Sequence, residues 1–281
     1  MKKEKNTEWH MQDNIKIFIK KAISELIKNT TNKKKIETLI KKHIVKIHFI
    51  PIRYRIFGGL LQSMNIQFGN FIEKLLHIIV ENEKNINISE DISGKRNIKL
   101  PMTQKSESLI DKFIANCQNS NYNESELLEN FNKVISKCLE EEQINSNKKI
   151  SIKHDIDVLF FDNNDKYYYL EVKYNDDHDT GKYADINRKF IKSYIGVCNI
   201  LKIYDISKFK PILYYLTKKK MKGNIYLPEI ENIYRGDRLF NEFFQINYSH
   251  LDKIMKNIGD DKEIIELFDN LYKNIRFDMK F

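Results

Sequence analysis

The sequence predicts a mixed α/β protein in which a β-sheet is flanked by helices and is preceded by an α-helical N-terminal part. Two apolar, strand-like runs joined by a polar turn lie at 154–177, and a third apolar run, "PILYYLT", lies at 211–217. Apolar residues at helical spacing dominate the chain before these runs and return after Gly236. A chain of 281 residues can bury a substantial core, and no clear linker divides it, so we expect one domain.

The expected single domain spans 1–281, with a helical N-terminal part at about 1–142, an αβ core at about 150–220 and a helical C-terminal part at about 236–281. Amphipathic patterns predict helices at about 15–27, 36–45, 60–82, 106–117, 124–142 and 182–203.

Three local signals refine this outline. The stretch "PIRYRIFGG", residues 51–59, predicts a short extended segment because proline and paired glycines punctuate it. Residues 83–104 are polar and without period, which predicts a long loop. Asn123 or Ser125 is the expected start signal of the helix that follows.

The segment "HDIDVLFFDNNDKYYYLEVKYNDD", residues 154–177, places charged side chains among apolar ones. Residues two apart share a face of a strand, so Asp155 and Asp157 point the same way, and so do Glu171 and Lys173. The polar turn between the two runs would fold them into a hairpin. Asp157 and Glu171 are 14 positions apart, which lets their carboxylates meet across such a hairpin, with Lys173 one pleat further on.

This combination of side chains suits phosphodiester hydrolysis. Two carboxylates that converge without a cation repel each other, whereas Mg²⁺ commonly uses one or two protein carboxylates together with a substrate phosphate. An adjacent ammonium group could hold the attacking water, help to deprotonate it and offset charge on the reacting phosphate. A lone D-x-D or E-x-K pair is usually a surface pair, but here the acids interrupt runs too apolar for a solvated edge. Asp157, Glu171 and Lys173 therefore predict a metal-assisted hydrolase.

The runs "IDVLFF" and "YYYLEVK" resemble the signature of the PD-(D/E)XK nuclease superfamily. The resemblance implies a restriction-endonuclease-like core, a mixed sheet flanked by helices, with a metal held by Asp and Glu beside a lysine. It puts Asp157 at the motif aspartate and Glu171 and Lys173 at the E-x-K pair, with Asp155 as a neighbour. The literal proline–aspartate pair is absent, since His154 precedes Asp155.

A second match lies upstream, in "FGNFIEKLLHIIVEN". Many of these nucleases carry a glutamate on an earlier helix that reaches the metal site. The resemblance gives this role, as a catalytic and metal-binding residue, to Glu73, which lies beside the apolar stripe of its helix. The alternative is a boundary residue paired with a lysine.

Segments across most of the chain together resemble type II restriction endonucleases, of a HinfI-like or related small-palindrome type. These segments are "RYRIFGGLLQS", "FGNFIEK", "HDIDVLF", "EVKYNDDHDTGK" and "DINRKFIKSY". Enzymes of this kind need Mg²⁺, generally act on double-stranded DNA as homodimers and leave 5′-phosphate and 3′-hydroxyl ends. The resemblance also implies a cognate DNA methyltransferase that acts on the same site.

The chain has a net charge of +9, which favours polyanionic partners, although lysine-rich codons alone could produce a basic surface. Basic side chains in three places are DNA-binding candidates. They are Lys182, Arg188, Lys189 and Lys192 after the hairpin, the pair Arg53 and Arg55, and the pair Arg235 and Arg238. The first group suits a phosphate clamp and the arginine pairs suit guanine recognition. A solvated helix face, phosphate neutralisation and a dimer contact stay open as alternatives.

The remaining features narrow the class of protein. Three widely separated cysteines have neither zinc-finger nor redox spacing, and no segment approaches the roughly 20 apolar residues of a membrane span, so we expect a cytoplasmic protein. The basic start of the chain lacks the apolar core of a signal peptide. Two further functions remain in view: a repair or junction-resolving nuclease with the same core, and a non-catalytic basic DNA-binding protein.

Overall fold

The structure is a computed structural model that describes residues 11–94, 97–145, 149–176, 179–220 and 226–278. The first ten residues, which carry the basic start of the chain, lie outside these ranges. Within the described ranges, no helix is both long and apolar enough to cross a membrane.

The helices are α1 Met11–Thr30, α2 Lys33–Ile44, α3 Ile52–Asn82, α4 Gln104–Asn119, α5 Glu124–Ile144, α6 Thr180–Leu201, α7 Glu229–Asn232, α8 Asp237–Phe243, α9 Tyr248–Gly259 and α10 Lys262–Lys273, with a π-helical turn at Asn274–Asp278. The strands are β1 Ile86–Ile88, β2 Ile98–Thr103, β3 Lys149–His154, β4 Val158–Asp162, β5 Tyr167–Lys173, β6 Phe209–Tyr215 and β7 Ile233–Arg235.

The chain divides into two compact units. One contains the chain up to Ile72 and from Asn247 onward, and the other is Glu73–Ile246. The first unit is helical, and it buries apolar residues such as Ile56 and Leu251. That all 281 residues act as one nuclease domain stays a prediction.

The second unit contains the predicted mixed sheet. Its strands lie in the order β1-β4-β5-β6-β7. β1, β4 and β5 are antiparallel neighbours, whereas β5, β6 and β7 run parallel. The change of direction follows from the connections: a polar turn joins β4 to β5, and the α6 crossover joins β5 to β6. β2 and β3 pair in a separate two-stranded ladder.

Helices cover both faces of the central strand β5. On one face, Tyr169 stacks on Phe190 of α6, with ring centroids 5.4 Å apart. On the other face, Tyr168 meets Phe243 of α8 edge to face, with centroids 4.8 Å apart. Because successive strand residues point to opposite faces, the side chains two and four positions after Tyr169 share the α6 face.

Local sequence signals explain where several helices begin. The Asn123 side chain accepts a hydrogen bond from the backbone N–H of Glu126, and the Glu126 carboxylate accepts one from the N–H of Asn123, which forms a capping box. This confirms Asn123 as the start signal of α5. Asp179 caps α6 in the same manner, accepting from the N–H of Lys182.

Three expectations about local structure were wrong. Residues 83–104 contain β1 and β2, which form because distant partners, β4 and β3, supply their hydrogen bonds. Residues 52–59 are the first turns of α3 instead of an extended segment, and a Cβ at Gly58 would meet nothing, so no close contact requires a glycine there. Asp155 and Asp157 both lie in the segment between β3 and β4 and not on one strand, so strand alternation does not set their directions.

Candidate active site

The β4–β5 hairpin sets the spacing of the predicted acids. Val158 pairs with Leu170 in antiparallel register, so the residues just beyond that pair, Asp157 and Glu171, lie opposite each other. The turn is held by Asp162, whose side chain accepts hydrogen bonds from two backbone N–H groups in the loop. The two acids therefore lie across the hairpin from each other, as the spacing predicted.

Lys173 joins the two carboxylates. Its Nζ lies 2.6 Å from Glu171 Oε1 and 3.7 Å from Asp157 Oδ2. The same ammonium group donates a hydrogen bond to the carbonyl of Val172, at 2.8 Å. Asp157 is 7% exposed, and its Oδ2 accepts a 2.8 Å hydrogen bond from the N–H of Val172. The three side chains form one charged cluster at the end of β5.

The electrostatics of this cluster are dominated by negative charge. Burial, followed by the charge of Glu171, raises the pKa of Asp157 well above its usual range, and Glu73 adds to the rise. Burial by itself would lower the pKa of Lys173, but Glu171 and Asp157 outweigh it and raise that pKa above the usual lysine value. Lys173 is therefore protonated at neutral pH, and one ammonium does not balance the acids around it.

Glu73 reaches the same region from α3. Its side chain is partly buried, and its charge acts on both Asp157 and Lys173. Asp155, by contrast, is exposed, and its carboxylate accepts a 2.8 Å hydrogen bond from the N–H of Asn97.

Comparison with known proteins shows the family of the chain that carries this cluster. A family model described as the type II restriction endonuclease HinfI matches residues 11–259. The Haemophilus influenzae protein described as type II restriction enzyme HinfI is 44% identical over 266 residues, which cover 94% of this chain and 98% of the relative. The chain belongs to the HinfI family of type II restriction endonucleases. No solved structure matches it.

Membership in the HinfI family makes this chain a site-specific deoxyribonuclease that binds and cuts double-stranded DNA. Type II restriction endonucleases typically need a divalent metal ion. The family decides against the two other functions considered from the sequence, a repair nuclease and a non-catalytic DNA-binding protein. The predicted type II restriction endonuclease, including its HinfI-like character, is confirmed.

The basic residues of α6 fall into two kinds in this HinfI-family enzyme. Lys182 and Lys189 are exposed. Arg188 and Lys192 both reach Asp111 on α4, with Nε and Nζ at 3.1 Å and 3.0 Å from its Oδ1. The helix therefore presents two solvated cations and holds two others in ion pairs.

The arginine pair near β7 is tightly held. Arg235 Nη1 lies 2.7 Å from Asp176 Oδ2, and Asp176 is fully buried. Arg238 donates to backbone carbonyls, including that of Ile233 at 3.1 Å, and its guanidinium lies 3.9 Å from the centre of the Tyr234 ring. These contacts brace the end of the sheet.

Arg53 and Arg55 lie on the first turns of α3. Nη1 of Arg53 donates to the carbonyl of Arg276 at 2.7 Å, and Nη1 of Arg55 donates to that of His43 at 2.9 Å. Through these bonds both arginines connect segments of the first unit.

Sequence reasoning missed one side chain in the site. Tyr169 donates a 2.6 Å hydrogen bond to Glu171 Oε2. Its signal was present, because Tyr169, Glu171 and Lys173 alternate along one strand, but a tyrosine in an apolar run is usually a core residue.

Proposed function

We propose that this HinfI-family enzyme hydrolyses DNA phosphodiester bonds with Mg²⁺ held by Asp157 and Glu171 and with Lys173 acting on the water and the phosphate. The convergence of these three side chains carries the proposal: one ammonium lies 2.6 Å and 3.7 Å from two carboxylate oxygens.

The donor set fits a hard divalent cation. Asp157 stays charged only at a cost, since burial and Glu171 raise its pKa, and a divalent cation would remove that cost. Among the described residues no cluster of three or more His, Cys, Asp or Glu side chains has the arrangement of a metal site. Two carboxylates with water and a substrate phosphate are the usual ligands of Mg²⁺, whereas zinc sites take three or four protein ligands.

Each residue then has a defined task. A bound metal ion would lower the pKa of the attacking water and would place positive charge beside the phosphate. Lys173 is protonated, so it orients the water and offsets charge on the phosphate in the transition state, without acting as the base. Asp157 is oriented by the N–H of Val172, which leaves its second oxygen for the metal.

Glu73 is proposed as a third acidic group of the site. Its charge acts on Asp157 and Lys173, which supports this role. A carboxylate there would bind the metal directly or through a water molecule.

DNA contact is proposed for the basic residues. Lys182 and Lys189 are exposed on α6, close in sequence to the active strand, and suit phosphate contacts. Arg188 and Lys192 are ion-paired with Asp111, so they contribute to the positive field or change partners when DNA binds. Base recognition by Arg53, Arg55, Arg235 or Arg238 stays a prediction.

We further propose that two copies of this chain act together on a short palindromic site, and that a cognate methyltransferase protects the same site. A symmetric sequence presents the same bases to two identical subunits, and each active site would then cut one strand. Sedimentation with a duplex of the recognition sequence would test the stoichiometry.

The decisive experiment replaces the cluster residues one at a time. Asp157→Ala and Lys173→Ala should abolish plasmid cleavage in Mg²⁺ while DNA binding remains measurable in Ca²⁺. Asp155→Ala is the matched control, because that aspartate is exposed and bonded to Asn97, and it should keep cleavage. Normal cutting by both cluster variants would refute the assignment.

A further inference from the structure

Both oxygens of the Glu171 carboxylate are engaged by protein donors. Oε1 receives the ammonium of Lys173 at 2.6 Å, and Oε2 receives the hydroxyl of Tyr169 at 2.6 Å. Tyr169 is fully buried and its ring stacks on Phe190, so the hydroxyl has no freedom to leave. The carboxylate is therefore held in one rotamer from two sides.

Further polar side chains lie behind Tyr169. Ser193 of α6 acts to lower the pKa of the Tyr169 hydroxyl, as a neighbouring donor does, and Ser193 Oγ lies 2.5 Å from Nδ1 of His154, the last residue of β3. Two hydrogen-bonded pairs, Tyr169 with Glu171 and His154 with Ser193, thus lie one behind the other, with side chains from three elements.

The direction of these bonds follows from the carboxylate at the end. A hydroxyl has one proton to donate, and Tyr169 gives its proton to Glu171. The Tyr169 oxygen can then only accept a proton from a neighbour such as Ser193. Burial lowers the pKa of His154, so its ring is neutral at pH 7.

We propose that Tyr169 is a positioning residue that, supported by Ser193 and His154, orients Glu171 for the metal and for Lys173. The proposal rests on the proposed function, in which Glu171 is a metal ligand. Side chains that hydrogen-bond a metal ligand from behind fix its orientation, and their loss typically costs about 10–100-fold in metal affinity or activity.

The first test is Tyr169→Phe, which removes one hydroxyl and keeps the ring on Phe190. Single-turnover cleavage of a duplex is measured over a range of Mg²⁺ concentrations, with DNA affinity measured separately in Ca²⁺. We expect the Mg²⁺ concentration for half-maximal rate to rise about 10-fold or more, with unchanged DNA affinity. Excess Mg²⁺ should recover most of the rate, which a general loss of folding would not allow.

Tyr194→Phe is the matched control. Tyr194 is a buried residue of α6, and its hydroxyl donates a 2.8 Å hydrogen bond to the backbone carbonyl of Phe209. Its variant loses an equally buried hydrogen bond without touching an acid of the site. Equal Mg²⁺ dependence for the Tyr169 and Tyr194 variants would overturn the proposal.

A second variant tests the chain behind Tyr169. Ser193→Ala should shift the Mg²⁺ dependence in the same direction by a smaller factor, and should add nothing in a Tyr169→Phe background. Independent, additive shifts would remove Ser193 and His154 from the proposal. Glu171→Gln distinguishes failure of this proposal from failure of the proposed function. Normal cleavage by Glu171→Gln would refute the metal-ligand role of Glu171. Loss of cleavage in Glu171→Gln together with a normal Mg²⁺ dependence in Tyr169→Phe would refute only the positioning role of Tyr169.

Discussion

Replacement of Lys173 by methionine isolates the electrostatic cost of the candidate active-site cluster. Methionine keeps an apolar stem of similar length but removes the ammonium that lies 2.6 Å from Glu171 and 3.7 Å from Asp157. With an effective dielectric constant of about 20, these separations correspond to attractions of about 6 and 4.5 kcal/mol. The variant would leave both carboxylates without that partner.

Proton uptake limits the loss of stability. A carboxyl group that takes up a proton at pH 7 pays about 1.4 kcal/mol for each pH unit above its ordinary pKa of about 4, or about 4 kcal/mol. We therefore expect Lys173→Met to lower the free energy of unfolding by about 3–5 kcal/mol at pH 7 without divalent metal. Under the proposed function Mg²⁺ binds the folded cluster, so adding it should return part of this stability.

The pH dependence supplies a second check. Without Lys173, the acids have pKa values in the folded state above those in the unfolded chain, so protonation favours the folded state. The stability of the variant should increase as pH falls through the folded-state pKa values toward about 4, more steeply than that of the wild type. Urea unfolding followed by circular dichroism at several pH values measures both effects.

Lys256→Met is the control, since that ammonium pairs with Asp252 at 2.7 Å but the two side chains are 73% and 40% exposed. Water already screens this pair, so its loss should be close to the limit of measurement. A loss below about 1 kcal/mol for Lys173→Met, or a pH slope equal to that of the wild type, would refute the account of the cluster.

Three further outcomes are expected. Gly196→Ala should destabilise by about 1–3 kcal/mol in urea unfolding, because a Cβ there would lie 2.5 Å from Leu100 Cβ; Gly69→Ala, with nothing within 4 Å, should not destabilise. Asn123→Ala should cost about 1 kcal/mol in the same assay by removing the cap of α5, and an unchanged midpoint would contradict the capping role. Because burial and Glu171 raise the pKa of Asp157, protons compete with the metal: cleavage at limiting Mg²⁺ should fall as pH is lowered below neutral, and more Mg²⁺ should move that fall to lower pH.

The hairpin and most helices were predictable because their signals are local. The spacing of Asp157 and Glu171 around a polar turn requires only the alternation of strand residues and a register, and the register places them opposite each other. The amphipathic pattern of α6 and the cap at Asn123 are likewise read within one turn of helix.

The short strands β1, β2 and β3 could not be read in the same way. Each is stabilised by hydrogen bonds to a partner tens of residues away, as where Ile86 pairs with Asp162 and Leu100 pairs with Ile152. Their own sequences are too short or too polar to differ from loops. The glycines in the first turns of α3 predicted a break that the structure does not have, because Gly58 and Gly59 both lie inside the helix.

The acids and lysine of the site are adjacent along one hairpin, so pattern and chemistry alone brought Asp157, Glu171 and Lys173 together. The packing of α4 against α6 decides which cations of α6 are solvated and which are held in ion pairs. Lys192, for example, is held by Asp111. The same holds for Tyr169, since the ring of Phe190 that fixes its position lies on α6. Local order along a strand is written into the sequence, but contacts between elements arise only when burial of apolar surface packs those elements together.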